Sequence, residues 1–98
     1  MTHFLYVKSF LLVHLINKSK KLEIRGLNNF TKNIQAGDSI RFNNKVERIV
    51  KAVHTYNDLT SAINSWNPEL FCPEYTRELI QSALQEIYFG KVVVFELE

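Results

Sequence analysis

The chain has 98 residues, of which 46% are hydrophobic and 12% aromatic, and its 12 basic and 10 acidic residues give a net charge of +2. This length suits one domain over residues 1–98, and the apolar content excludes an intrinsically disordered chain. The lone cysteine, Cys72, excludes an internal disulfide and favours a reducing compartment, so we expect a cytoplasmic protein.

Membrane-spanning, export and metal-binding segments are not predicted. The apolar stretch from Phe4 to Ile16 is interrupted by Lys8 and His14 and is too short to cross a bilayer. The start of the chain lacks the basic residues that begin a signal peptide. The three histidines are scattered, and the three glycines are too far apart to form a phosphate-binding loop. We therefore expect no membrane partner, no metal and no cofactor.

The charge is divided unevenly along the chain. Residues 1–51 hold ten of the twelve basic residues and three of the ten acidic ones, a net +7, whereas residues 52–98 carry a net −5. A basic face attracts phosphate, which is typical of nucleic-acid binding. The same division fits two solvated surfaces whose charges balance, or an acidic face that binds a protein partner.

The chain begins with a strand, a helix and a second strand. Residues 3–7 alternate and predict the first strand. Ser9 can cap a helix that continues to about Asn17. Its predicted apolar face consists of Phe10, Val13, His14 and Ile16. Residues 22–25 predict the second strand, and the polar residues 26–33 predict a loop.

A hairpin comes next. Gly37 is expected to supply a positive φ in a tight turn over residues 34–38. Residues 39–42 then resume a strand, and Asn43-Asn44 predicts a hairpin turn. The alternation over residues 46–53 predicts the partner strand.

Two helices and a final strand complete the order β-α-β-β-β-α-α-β. Asn57 or Asp58 can cap a short helix that Pro68 ends, and Pro73 suits the start of a helix over about residues 74–88. Gly90 can end that helix before an apolar strand over residues 91–98. Few helices and short strands predict an α+β fold with a mixed or antiparallel sheet. Closure into a small β-barrel would remove the exposed strand edges.

Three segments, in this order, resemble the ASCH domain, a family with a PUA-like fold. Residues 18–25 (KSKKLEIR) are similar to its Gly-x-Lys-x-x-Glu-x-Arg, with Lys18 in place of Gly. Residues 34–42 (IQAGDSIRF) are similar to its Ile-x-x-Gly-Asp-x-Ile-x-Phe, and residues 50–59 resemble its strand followed by a Tyr and a short helix. The resemblance implies a PUA-like barrel with two to three flanking helices and a cleft beside the Lys/Glu/Arg strand. It also implies a ligand that is RNA or a modified nucleoside.

Lys20, Glu23 and Arg25 are the main candidates for lining that cleft. Glu23 and Arg25 are two residues apart and so share a face of the predicted strand, and the long side chain of Lys20 can reach the same place. Arg25 can hold a phosphate through two parallel hydrogen bonds, and Glu23 can orient Arg25 or accept from a base amino group. Lys21 adds a charge, and Tyr56 can stack on a base. The alternative is a salt-bridged surface strand. Phe30, Phe42 and Trp66 are further aromatic candidates, of which Phe42 and Trp66 are more typical of a core.

A catalytic alternative assigns chemistry to Lys20, Glu23 and Glu74. Lys20 would be a nucleophile or general base, which requires a neutral amine near pH 7, and Glu74 would pass protons to the leaving amine. A branch of the family resembles amidohydrolases that cleave N4-acetylcytidine with a Lys, a Thr three residues later and a downstream Glu. Lys20 matches the Lys, Glu23 stands at the Thr position, and Glu74 lies in the region of the downstream acid. Other members resemble ribonucleases, so binding, amide hydrolysis and RNA cleavage all stay open.

Overall fold

A computed structural model describes residues 1–98 and contains five strands and three α-helices in the predicted order. The strands are β1 (Thr2–Leu5), β2 (Leu22–Gly26), β3 (Ser39–Phe42), β4 (Val46–Tyr56) and β5 (Val92–Leu97). The helices are α1 (Leu12–Ile16), α2 (Leu59–Asn64) and α3 (Arg77–Leu84). Short 3₁₀ turns cover Ser9–Leu11, Thr31–Asn33 and Pro68–Leu70. No helix reaches the length and apolar character needed to cross a membrane.

The strands form one five-stranded mixed sheet in the order β1-β3-β4-β5-β2. The β1–β3 pair is parallel and the other three pairs are antiparallel. A register shift between Val50 and Ala52 bends the long β4, which pairs first with β3 and then with β5. The sheet therefore curls into a half-barrel whose edges are β1 and β2. This confirms the predicted α+β class, with a curled mixed sheet and flanking helices.

The two faces of the sheet carry separate cores. Val92 and Val94 of β5 pack with Ile63 of α2 and Ile80 of α3. On the other face, β5 contributes Val93, Phe95 and Leu97 to a cluster that also contains Leu5, Leu15, Phe42 and Val50. A strand that is covered on both faces must be apolar at nearly every position, which explains the run VVVF.

Local turn chemistry is where the sequence predicts best. Asn43 and Asn44 have φ of 53° and 56°, as a tight two-residue hairpin turn requires, and Gly37 has the expected positive φ of 93°. Asp38 follows Gly37 and accepts a hydrogen bond from the Gln35 amide at 3.0 Å, and its second contact is His3 Nε2 at 2.8 Å. The Gly-Asp turn therefore fastens β1 to the start of β3.

The predicted face of the first helix is wrong. Phe10, Val13 and Ile16 are 47%, 55% and 66% exposed, whereas Leu15 is completely buried. The helix is only five residues long and follows a 3₁₀ turn, so the packing of Leu15 into the sheet core decides its orientation.

The last helix is shorter than the predicted span of residues 74–88. Glu74 has a φ of 74°, which no α-helix accommodates. Thr76 then caps the helix by accepting a hydrogen bond from the Leu79 amide at 3.2 Å. Pro73 and Glu74 consequently lie in a turn before the helix.

Candidate ligand-binding site

Lys20 is buried just before β2, with an exposed fraction of only 3%. Its ammonium donates to the Leu22 carbonyl at 2.6 Å and to the Phe71 carbonyl at 2.5 Å, and it lies 3.1 Å from Glu23 Oε1. A lysine ammonium has three N–H donors, so these three acceptors occupy all of them. The side chain is thereby fixed across the gap between β2 and the 3₁₀ turn over Pro68–Leu70.

Glu23 connects Lys20 to Arg25 through its two carboxylate oxygens. Oε1 faces Lys20, while Oε2 accepts from Arg25 Nε at 2.7 Å and forms an ion pair with Nη2 at 2.5 Å. Arg25 Nη2 also donates to the Tyr6 carbonyl, just past the end of β1. Nη1 of Arg25 has no partner among the protein atoms. We call Lys20, Glu23 and Arg25 the triad; it links the two edges of the half-barrel.

Arg48, on β4, binds the main chain just before β2. Its side chain is buried on β4, and its Nη1 donates to the carbonyls of Lys20 at 2.9 Å and Leu15 at 3.1 Å. Burial lowers the pKa of this guanidinium below its usual value. Because Arg48 fastens the main chain of Lys20, it helps to position the triad.

A cavity of about 320 Å³ opens over the triad, between β2, the segment after β1, and α3. Of its 17 lining residues, 13 are hydrophobic. The triad supplies three of the four polar members, and the exposed Lys8 supplies the fourth. We call this hollow the triad cavity. An apolar hollow with a few converging polar groups is the usual form of a small-molecule site.

The structure brings together only part of the predicted set. Lys20, Glu23 and Arg25 share the triad cavity, but Lys21, Tyr56 and Glu74 do not line it. Lys21 and Glu74 are exposed. The hydroxyl of Tyr56 accepts a hydrogen bond from Trp66 Nε1 at 3.0 Å, so this side chain packs beside α2. Glu74 lies in its turn outside the cavity lining, and no hydrogen bond or ion pair joins it to Lys20.

Several lining residues were not predicted from the sequence. Several aromatic side chains line the cavity, and Phe10 stacks on Tyr75 with ring centres 6.0 Å apart. Tyr6 is 74% exposed at the mouth. The helical periodicity placed Phe10 on the packed face of the first helix, so its position at the cavity was not foreseen. The rim is suited to stacking against a flat ligand.

Two titratable groups in the wall are affected by the low polarity of the cavity. Burial raises the pKa of the Cys72 thiol, and nearby Lys20 partly opposes that shift. Burial also raises the pKa of Tyr88, which Arg25 partly opposes. Both groups are neutral at physiological pH and act as apolar wall. No group of three or more His, Cys, Asp or Glu residues is arranged to hold a metal ion.

Comparison with solved structures identifies two proteins of the same fold. The crystal structure of the hypothetical protein PH0355 aligns over 100% of this chain and 98% of its own, with a TM-score of 0.89 and 21% identity. The solution structure of protein PF0455 from Pyrococcus furiosus aligns over 100% and 96%, with a TM-score of 0.78 and 24% identity. No protein-family model and no curated protein matches the sequence. At this identity the likeness establishes the fold.

Proposed function

We propose that this protein is an ASCH-like domain that binds RNA or a modified nucleoside by taking one base into the triad cavity. The observation that carries the proposal is the convergence of Lys20, Glu23 and Arg25 on one mainly apolar hollow of about 320 Å³. This volume lies at the small end of the range for ligand sites, about 300–1,000 Å³, and suits a base with part of its sugar. The basic first half of the chain supplies attraction for phosphate.

Base recognition would depend on Glu23 and Arg25. Both oxygens of Glu23 face cationic donors, Lys20 and Arg25, and a carboxylate offers only acceptor positions to a ligand. Such a group selects bases with an exocyclic amino group, as carboxylates do with cytosine N4. The two unpartnered N–H groups of Arg25 Nη1 would donate to a carbonyl or phosphate oxygen.

The hydrogen bonds of the Lys20 amine favour binding over hydrolysis. A nucleophile or general base needs an available lone pair, whereas this nitrogen donates three hydrogen bonds to fixed acceptors. Glu74, the predicted proton donor, is exposed and outside the lining. Lys20 is therefore assigned a positioning role that keeps Glu23 in place.

The test is a titration of the protein with the four nucleosides, N4-acetylcytidine and a fluorescently labelled single-stranded RNA at low salt. Arg25→Gln should weaken binding about 10- to 150-fold, the value of a charge-assisted hydrogen bond. Lys21→Gln is the matched control, because it removes a neighbouring positive charge outside the cavity and should leave the affinity for the nucleosides almost unchanged. Equal affinity of wild type and Arg25→Gln would refute the proposal.

The same samples separate binding from catalysis. Wild-type protein incubated with N4-acetylcytidine should release no cytidine beyond a buffer control, as followed by chromatography. Turnover that disappears in Lys20→Ala would instead support the hydrolase alternative. We also propose a reducing, cytoplasmic setting, which suits the unpaired Cys72 in the cavity wall.

A further inference from the structure

A second hollow adjoins the triad cavity, and Arg25 is one of the three residues shared by the two. It has a volume of about 440 Å³, and we call it the loop cavity because residues 26–28, 30 and 31 form one wall. Arg25, Ile87 and Tyr88 line both hollows. The two are therefore neighbouring compartments of one cleft, with a guanidinium at their boundary.

The loop cavity carries two exposed phenylalanines. Phe89 is 81% exposed and Phe30 is 50% exposed. Large aromatic side chains left in water beside a concave surface are typical of binding sites. Aromatic faces of this kind stack on nucleobases in proteins that bind single-stranded nucleic acid.

The loop that presents Phe30 is held in place by its own hydrogen bonds. Asn28 Oδ1 accepts from the amides of Phe30 and Thr31, both at 2.9 Å. Thr31 Oγ1 donates to the Gly26 carbonyl at 2.8 Å. The ring of Phe30 also meets His3 edge to face, with centroids 6.1 Å apart. These contacts hold the Phe30 ring in position before any ligand binds. They leave the amide NH₂ of Asn28, which lies on the cavity wall, without a protein partner.

Arg25 stands where two adjacent nucleotides would be joined. Its Nε and Nη2 are occupied by Glu23 and Tyr6, so its orientation is set, and the two N–H groups of Nη1 have no protein partner. A phosphodiester joins the sugars of consecutive nucleotides and carries two free oxygens that a guanidinium recognises.

We propose that the two cavities hold two consecutive nucleotides of one RNA strand. One base enters the triad cavity, the next stacks on Phe30 and Phe89 in the loop cavity, and the linking phosphate meets Arg25 Nη1. This inference rests on the proposed function and adds that the unit recognised is a dinucleotide.

The test compares ligands of increasing length on the full chain. The probes are the four nucleosides, their 3′- and 5′-monophosphates, and the dinucleotides ApA, CpC, GpG and UpU. Binding is followed by NMR chemical-shift titration of the backbone amides. At least one dinucleotide should bind more tightly than either corresponding monophosphate and should shift the amides of residues 27–31.

Two variants isolate the loop cavity. Phe30→Ala and Phe89→Ala should each weaken dinucleotide binding about 5- to 150-fold, the range for loss of one base–aromatic stack, while nucleoside binding stays unchanged. Phe4→Ala is the matched control, because Phe4 is 55% exposed on β1 and lines neither cavity. This variant should bind every probe with the wild-type affinity.

The outcomes distinguish the inference from the proposed function. If nucleosides bind but dinucleotides bind no more tightly than monophosphates, the two-nucleotide inference is wrong and single-base binding stands. If Phe30→Ala and Phe89→Ala both leave dinucleotide affinity at the wild-type value, the loop cavity holds no base. If none of the probes binds, the proposed function fails and the inference fails with it.

Discussion

Replacing Lys20 with methionine removes a buried ammonium while keeping a side chain of similar length. The change leaves the Leu22 and Phe71 carbonyls without their donor, and it removes one of the two cations on Glu23. Breaking a buried ion pair by deleting one partner costs about 3–5 kcal/mol. Because Arg25 still pairs with Glu23, we expect a loss near the lower end, about 3 kcal/mol. That is a large part of the roughly 5–15 kcal/mol that holds a domain of this kind together.

Urea denaturation followed by circular dichroism measures this loss. With a slope of about 1–3 kcal/mol per molar urea, the midpoint of Lys20→Met should fall by about 1–3 M. Lys21→Met is the matched control. Because the Lys21 side chain is exposed, this variant should change the free energy of unfolding by no more than about 0.5 kcal/mol. The difference between the two variants should persist in 1 M salt, since a buried pair is screened little.

Equal midpoints for Lys20→Met and Lys21→Met would refute this reasoning. That result would mean that the amine is not committed to its three acceptors. It would also return Lys20 to consideration as a nucleophile or base.

Three further predictions concern charge, pH and reactivity. In RNA binding, Arg25→Gln should reduce the slope of log affinity against log salt concentration by about 0.7, which is the contribution of one phosphate contact on a single strand. Fluorescence anisotropy at several salt concentrations measures this slope. An unchanged slope would contradict the contact between Arg25 and a phosphate. The hydrogen bond from His3, and then that from the Gln35 amide, hold the pKa of Asp38 below its ordinary 3.8. The stability from this pairing is therefore complete above pH 3.8 and is lost as the pH falls through the lower folded-state value, so Asp38→Asn should flatten the acid side of a profile of urea midpoint against pH. Because burial raises the pKa of Cys72, iodoacetamide should modify it more slowly than free cysteine, and a bound nucleoside should slow the reaction further; mass spectrometry follows both rates.

Local rules explain which parts of the fold could be predicted. The Asn43-Asn44 hairpin, the Gly37 turn, and β3 over Ser39–Phe42 follow from backbone preferences of a few residues, and all three are confirmed. The start of α3 was missed because Pro73 suggested a helix start, while the backbone of Glu74 excludes one. The face of α1 was missed because tertiary packing of Leu15 decides it.

The candidate site likewise has features that could be predicted from the sequence and features that could not. The spacing of Glu23 and Arg25 on a strand was enough to predict that they share a face, and the structure shows them joined to each other. The burial of Lys20 was not predictable, since one of its acceptors is the Phe71 carbonyl, distant in sequence. The position of Tyr56 outside the cavity was not predictable, because the hydrogen bond from Trp66, just after α2, to Tyr56 on β4 is a contact that no pattern within a single strand reports.

The strand order has a consequence for when the site can form during synthesis. β2 carries Glu23 and Arg25 at the sheet edge, and its only strand neighbour is β5. During vectorial translation, β1, β3 and β4 can assemble as soon as they emerge, but β2 has no strand to dock on until Val92–Leu97 has been made. A nascent chain halted before that point would therefore expose the charged side chains of β2 without a cleft, and would acquire ligand affinity only once β5 has been made.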